Sequence, residues 1–369
     1  MKQKQVVFAI VAGLLAAALG FVALRQRKTP TSASEVRVAA LLNLTGPAAR
    51  FDAVKKQTLE LAAERVRAQN PGLALALQII DAGGAADTTL AAARRVLGED
   101  AHIVLTGTSP AALAVAGLAR GRTPAVLQIA NAANPQFGPP RPGEFRFWPD
   151  WGQEARVLES LLRSKGIRSV LILHSADPYS EALRSAFGNL ASTAPAIRIS
   201  SQQYDPAGTP DFRPLLIRAQ ADNTGALVIF GLPPGIKALL TQLSDVQWAA
   251  PIVGGVNTNL VADDYDKAGL HCGLWAVETE AMGEALRSGS EADAFRAEFR
   301  RRYGYPPPFH ALYMADALYF VAAAHRSPAG QTSESDLVRA VSQFEGPSGT
   351  ITIGKDGVLE FAMSSKKLR

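Results

Sequence analysis

The stretches VRVAALLN at residues 36–43 and LALALQIID at residues 73–81 are apolar runs of strand length that enclose a helical segment, and this arrangement indicates the fold class. Between Leu59 and Val66, apolar residues recur at positions i, i+3, i+4 and i+7, which places them on one helical face. Asn-Pro-Gly at residues 70–72 ends this helix, since proline and glycine both interrupt helical geometry. A strand, a helix and a strand in this order predict parallel strands joined by a crossover helix.

The same alternation continues to about residue 280. The apolar runs are nearly continuous, as strands covered by helices on both faces must be. The proline- and glycine-rich stretch Asn134–Gly143 interrupts the pattern, so we expect an α/β fold of two doubly wound parallel-sheet units that join near residue 147. Further strands are predicted at His102–Thr106, Ala125–Ala130, Ser169–His174, Ile197–Tyr204, Ala226–Phe230, Pro251–Gly255 and Leu274–Glu280. Later helices are predicted at Glu291–Tyr303, Pro308–His325 and Ser335–Phe344.

The first 28 residues carry five basic side chains and no acidic one, on either side of the uninterrupted apolar stretch Val6–Leu24. A stretch of this length either targets a protein for export or anchors it in a membrane. We therefore expect residues 1–28 to be a signal peptide or a membrane anchor, with residues 6–24 contacting the membrane, and residues 29–35 to be a short tether. The rest of the chain is then expected outside the cytoplasm.

Charge and motifs exclude several classes of function. Without the five N-terminal basic residues, the chain has 33 basic and 33 acidic side chains, so its charge gives no support for nucleic-acid binding. No dinucleotide or phosphate-binding glycine motif follows a predicted strand. The histidines lack metal-ligand spacing, and the single Cys272 cannot form a zinc cluster or an intrachain disulfide. We expect no metal and no cofactor.

The segment Gly107-Thr108-Ser109-Pro110-Ala111 follows a predicted strand and is similar to the nucleophile elbow of serine hydrolases. Pro110 argues against that role, because it lacks the backbone N–H that completes an oxyanion hole. Ser109 and Pro110 instead suit the N-cap and first position of a helix. The free backbone donors at such a helix start would bind a small anion or a polar ligand group.

Several motifs, taken together in their order, resemble periplasmic solute-binding proteins of the leucine/isoleucine/valine-binding type, the type I substrate-binding proteins of ABC transporters. The resemblance covers the chain from about Val36 to its C-terminus. The motifs are Val38–Pro47, the Gly107-Thr108-Ser109 turn, Ile129–Pro135, His174–Tyr179, Gly225–Gly231 and Tyr313–Ala317.

This resemblance implies two lobes with a ligand cleft between them and three passages of the chain from lobe to lobe, near Phe147, Glu280 and Gly349. The first lobe would comprise residues 36–147 and 281–348, and the second lobe residues 148–280 and 349–369. The expected protein is a non-catalytic, periplasmic component that passes a small molecule to a membrane permease.

The resemblance also implies the positions of the ligand pocket. Ser109 matches the serine that meets a ligand carboxylate, and Tyr179 matches a tyrosine of the second lobe. Ala133 stands where the family has a threonine, Leu232 where it has a tyrosine, and Val256 where it has the acidic residue that pairs with an ammonium. The expected ligand-binding residues are Phe51, Thr108, Ser109, Asn131, Ala132, Ala133, Tyr179, Leu232 and Val256, with Trp148 and Trp151 as cleft walls or hinge packing.

The departure at Val256 bears on the ligand, because a buried ammonium without a paired anion is strongly disfavoured. The sequence therefore predicts an apolar or aromatic acid and not an ordinary α-amino acid. Two alternatives stay open at this point. One is a membrane-anchored sensor that signals ligand occupancy, and the other is an exported hydrolase that uses Ser109.

Overall fold

The computed structural model describes residues 35–46, 49–99, 103–122, 125–193, 196–205, 208, 211–283, 289–326 and 341–369. The expected signal peptide or anchor, and all of the tether except Glu35, lie outside these residues. Within the described part of the chain, no helix is both long enough and apolar enough to cross a membrane.

The described elements alternate between strands and helices through both halves of the chain. The strands are β1 (Val36–Leu42), β2 (Leu75–Asp81), β3 (Ile103–Thr106), β4 (Leu127–Ala130), β5 (Glu144–Arg146), β6 (Ser169–Ser175), β7 (Arg198–Tyr204), β8 (Ala226–Phe230), β9 (Ile252–Gly254), β10 (Leu274–Thr279), β11 (Gln343–Gly346), β12 (Gly349–Ile353), β13 (Leu359–Phe361) and β14 (Met363–Lys367). The helices are α1 (Ala49–Gln69), α2 (Ala86–Gly98), α3 (Ser109–Ala119), α4 (Trp151–Ser164), α5 (Pro178–Ala191), α6 (Arg213–Ala221), α7 (Pro233–Asp245), α8 (Ala262–Lys267), α9 (Glu291–Tyr303) and α10 (Phe309–His325).

Two parallel sheets form the framework. The first has the order β2-β1-β3-β4-β5 and is parallel throughout. The second has the order β14-β10-β9-β8-β6-β7, in which only the edge strand β14 runs antiparallel. The predicted α/β fold with two doubly wound sheets is confirmed.

Each sheet is buried on both faces, which explains the continuous apolar runs in the sequence. On β1, Val38 and Leu42 pack into a core with α1 and α10, whereas Ala39 and Leu41 pack on the opposite face with α2 and α3. The second sheet likewise separates two cores. Side chains alternate between the faces of a strand, so a strand covered twice must be apolar at every position.

The C-terminal region differs from the prediction in two respects. Residues 343–346 form strand β11 and not the end of a helix, because Phe344 and Gly346 are buried in alternation with exposed neighbours. Residues 335–340 of that predicted helix lie outside the described residues. The third passage between sheets is at Ala362 and not near Gly349, since β12 pairs with β11, β13 pairs with β12, and only β14 joins the second sheet.

A cluster of phenylalanine rings fixes this C-terminal sheet to the first lobe. The ring of Phe320 in α10 lies 5.2 Å from Phe145, 5.5 Å from Phe147 and 5.5 Å from Phe344, measured between centroids. All four side chains are buried. The cluster therefore joins α10 to β5, to β11 and to Phe147, where the chain first passes between the sheets.

Phe320→Ala should lower the free energy of unfolding by ~3–5 kcal/mol, because it leaves a cavity among the three other rings. Ile217→Ala is the control, since Ile217 is 58% exposed on α6 and its change should stay within about 0.5 kcal/mol. Urea denaturation followed by circular dichroism measures both values. Equal losses in the two variants would show that the ring cluster does not hold the first lobe together.

Candidate functional site

The predicted first-lobe residues come together at the carboxyl ends of β3 and β4. The backbone N–H of Asn131 donates to the Thr106 carbonyl at 2.9 Å, and the Asn131 side chain donates to the Phe147 carbonyl at 3.1 Å. The backbone N–H groups of Ala133 and Asn134 both donate to Ser109 Oγ at 3.2 Å. The loop after β4 is thus hydrogen-bonded directly to the start of α3.

Ser109 is the first residue of α3 and not its N-cap. The cap is Thr108, whose side chain accepts from the Ala111 N–H at 3.5 Å. Two backbone N–H groups occupy the lone pairs of Ser109 Oγ, so its hydroxyl proton remains to donate. Ser109 therefore presents a hydrogen-bond donor suited to a ligand carboxylate, and its engaged oxygen is a poor nucleophile.

Beneath this turn lies a buried ion pair that the sequence analysis did not identify. Asp52 Oδ1 is 2.9 Å from Lys55 Nζ, and Lys55 Nζ also donates to the Gly107 carbonyl at 2.5 Å. Asp52 Oδ2 accepts from the Asn43 N–H at 2.7 Å. Burial lowers the pKa of Lys55, although the Asp52 carboxylate opposes that shift. The sequence did contain a sign of this pair, because Asp52 and Lys55 lie on the same face of α1 as the apolar stripe of Leu59, where buried residues are expected.

Gly107 is required by this arrangement. A Cβ atom there would lie 2.9 Å from Asp52 Oδ2 and 2.9 Å from Leu42 Cδ2, which is closer than side-chain atoms pack. Glycine lets the β3–α3 turn approach the ion pair closely enough for its carbonyl to accept from Lys55.

The predicted second-lobe residues Tyr179 and Val256 meet at a second buried acid, Glu154. The Tyr179 hydroxyl donates to Glu154 Oε1, and the Val256 N–H donates to Glu154 Oε2 at 2.9 Å. Burial raises the pKa of Glu154 to about 7, against the opposing effect of its two hydrogen bonds. The same burial, with the nearby Glu154 charge, raises the pKa of Tyr179. The sequence analysis missed Glu154, which stands on the buried stripe of α4 beside Leu158.

The two tryptophans lie between the sheets. Trp148 packs against both the first core and the second core, with its ring 5.9 Å from Phe309 and 6.1 Å from Tyr313. The guanidinium of Arg146 lies 4.1 Å from the ring centroid of Trp151. These contacts give both residues a packing role where the chain first passes between the lobes.

The remaining predicted residues fall into a buried set and an exposed set. Ala132 packs into a small core with Phe137, and Ala133 packs against the second core from the first-lobe side. Phe51 and Leu232 are 55% and 43% exposed, one on each lobe. The structure therefore joins Ser109 to Ala133 by a hydrogen bond and Tyr179 to Val256 through Glu154, whereas Phe51 and Leu232 are both exposed.

A groove of about 690 Å³ runs between Asn259 and Leu260 of the second lobe and the Pro306–Phe309 segment of the first. None of the predicted ligand-binding residues lines it. Within the described part of the chain, no cluster of three or more metal-ligating side chains occurs.

These two sheets, linked by three passages of the chain, define a two-lobed binding protein. A profile of the periplasmic binding protein family matches residues 35–365, so the chain belongs to that family. Membership implies a small-molecule ligand, a binding role without catalysis and an extracytoplasmic location. No curated protein matches the chain significantly.

Solved structures of similar fold include a leucine-binding protein and two solute-binding proteins in complex with aromatic acids. A leucine-binding protein from Thermotoga maritima has 21% identity and a TM-score of 0.73, with 89% of this chain and 94% of that chain covered. An R. palustris solute-binding protein in complex with benzoate has 17% identity and a TM-score of 0.71, covering 91% and 94%. One from Rhodopseudomonas palustris BisB5 with 3,4-dihydroxybenzoic acid has 19% identity and a TM-score of 0.71, covering 90% and 93%.

Glu154→Gln should change how stability depends on pH. The pKa of Glu154 is about 7 in the folded protein, compared with the ordinary value of 4.5 in the unfolded chain. Between these two pH values the folded protein binds a proton that the unfolded chain has released. The free energy of unfolding of the wild type therefore falls as pH rises through this window. Glu154→Gln removes this titration. The free energy of unfolding of the variant, relative to that of the wild type, should therefore be higher at pH 8 than at pH 5 by up to ~3 kcal/mol.

Urea denaturation at the two pH values measures this difference. Glu60→Gln removes an exposed carboxylate and serves as the control with no expected change of slope. A Glu154→Gln protein whose stability follows the wild-type pH dependence would contradict the assignment of a protonated, buried acid.

Proposed function

We propose that this protein binds a small carboxylic acid with an apolar or aromatic body and delivers it to an ABC-type membrane permease. The observation that carries the proposal is that two backbone N–H groups donate to Ser109 Oγ at the start of α3, which leaves the serine hydroxyl proton available to a ligand. A donor at a helix N-terminus favours a carboxylate, both by hydrogen bonding and through the helix dipole. Pro110 removes one backbone donor from this site, which makes the serine hydroxyl more important.

The second lobe gives reasons against an α-amino acid. Val256 is fully buried, and its backbone N–H, not its side chain, meets Glu154. Glu154 is 0% exposed, and its two oxygens already accept hydrogen bonds from Tyr179 and Val256. A carboxyl that is buried, occupied and half protonated near pH 7 is a poor partner for a ligand ammonium.

Apolar side chains are exposed on both lobes. Phe51 and Leu232 expose large apolar side chains on opposite lobes, and Ala133 has no hydroxyl to bind an amino group. The complexes of similar structures with benzoate and 3,4-dihydroxybenzoic acid support an aromatic acid as ligand. Because another similar structure is a leucine-binding protein, leucine is the competing ligand that the experiment must test.

A membrane-anchored sensor is a second candidate, and the apolar stretch Val6–Leu24 favours it. N-terminal sequencing of the exported protein distinguishes the two roles. A mature chain that begins after Leu24 supports uptake by a released binding protein, whereas retention of Met1–Leu24 supports the anchored sensor.

Isothermal titration calorimetry should detect binding of benzoate and no binding of leucine to the purified protein. Ser109→Ala should weaken benzoate binding by roughly 10- to 100-fold, the usual effect of losing a hydrogen bond to a charged group. Ser192→Ala is the matched control, because Ser192 ends α5 on the exposed surface. Tight binding of leucine, or benzoate binding that is insensitive to Ser109→Ala, would refute the proposal.

A further inference from the structure

His310 has an unused hydrogen-bonding atom in a buried position. It is the second residue of α10 and is 9% exposed, and its Nε2 atom is buried with no hydrogen-bond partner among the residues that the structure describes. A buried polar atom without a partner destabilises a protein by ~1–3 kcal/mol, so its presence points to a role other than folding stability.

The His310 ring lies between two phenylalanines. Its centroid is 5.7 Å from that of Phe51 and 5.7 Å from that of Phe309, with edge-to-face geometry in both cases. Phe309 is buried, whereas Phe51 is 55% exposed in the first turn of α1. The exposed Phe51 side chain is therefore accessible to a ligand at a position next to the imidazole.

The Phe51–His310 pair is connected to the Ser109 turn through α1. Phe51 and Lys55 are one helical turn apart on α1, and Lys55 Nζ donates to Gly107, two residues before Ser109. Thr58, further along α1, donates to the Ala311 carbonyl at 2.9 Å and so fixes the start of α10 beside α1.

The imidazole is neutral at this position. Burial and the Lys55 ammonium, which Asp52 pairs with, lower the pKa of His310 to about 3. A neutral imidazole nitrogen can accept a hydrogen bond from a hydroxyl group, or donate one to it, according to its tautomer. It offers no positive charge to a second carboxylate.

We infer that Phe51 and His310 form a specificity subsite for a hydroxyl group on an aromatic ligand, with the ring packed on Phe51 and the hydroxyl hydrogen-bonded to His310 Nε2. This inference rests on the proposed function, in which Ser109 binds the carboxylate of the same ligand. His310 then determines which aromatic acids bind, and a ring without a hydroxyl leaves its Nε2 atom unpaired.

The test compares benzoate, 3-hydroxybenzoate and 4-hydroxybenzoate by calorimetry on the wild type, His310→Phe and His310→Gln. The wild type should bind one hydroxybenzoate about tenfold more tightly than benzoate, the effect of one hydrogen bond. His310→Phe keeps a ring but should lose that preference. His310→Gln places an amide near the Nε2 position and should restore much of the preference, and thermal melts verify that both variants fold.

Two further readouts separate this role from simple packing. The preference should stay constant between about pH 5 and pH 8, because the imidazole stays neutral, whereas a histidine of ordinary pKa would change it near pH 6.5. Wild-type protein that binds benzoate and hydroxybenzoates equally, or a preference that survives in His310→Phe, overturns the subsite alone. Absence of binding by all three acids overturns both the subsite and the proposed function.

Discussion

Each lobe of this protein contains a buried carboxyl group that joins loops to helices at the carboxyl edge of its sheet. Asp52 accepts from the backbone after β1 and, through Lys55, holds the turn after β3. Glu154 accepts from the backbone after β9 and from Tyr179 at the start of α5. At the carboxyl edge of a parallel sheet, loop N–H groups have no strand partner, and buried side chains must satisfy them.

The two acids differ in how their charge is compensated. Asp52 has a cation at 2.9 Å, whereas Glu154 has only neutral donors and keeps a proton up to about pH 7. In the first lobe, the Ser109 hydroxyl is therefore a donor near a compensated charge. In the second lobe, the Glu154 carboxyl is already engaged in hydrogen bonds. This asymmetry supports the proposed preference for an acid with an apolar body over a zwitterion.

Several residues connect the two lobes by packing between their cores. Trp148 contacts both cores, and Ala133 of the first lobe packs against the second core. Tyr313 of α10 hydrogen bonds to Thr279 at the end of β10, 2.5 Å between the hydroxyl oxygens. A hinge motion of the kind used by two-lobed binding proteins would have to alter these few contacts, while the large cores of each lobe stay intact.

The α/β class, the alternation of elements and most of their bounds were predictable from the sequence, because burial on both faces forces apolar runs that are visible without a structure. Ser109 and Tyr179 are sequence predictions for ligand contact: Ser109 starts a helix after a predicted strand, and Tyr179 matches a motif of the family that the sequence resembles. The sequence-based prediction was wrong at the end of the helix expected over Ser335–Phe344, because residues 343–344 belong to β11. This strand forms by pairing with β12, which follows it in the chain, and the local sequence of β11 does not show that pairing. Only the tertiary structure revealed the partners of Asp52, Glu154 and His310, because a charged or polar residue on a buried stripe is interpreted only by what lies across from it. Those partners are distant in sequence, and no local pattern encodes them.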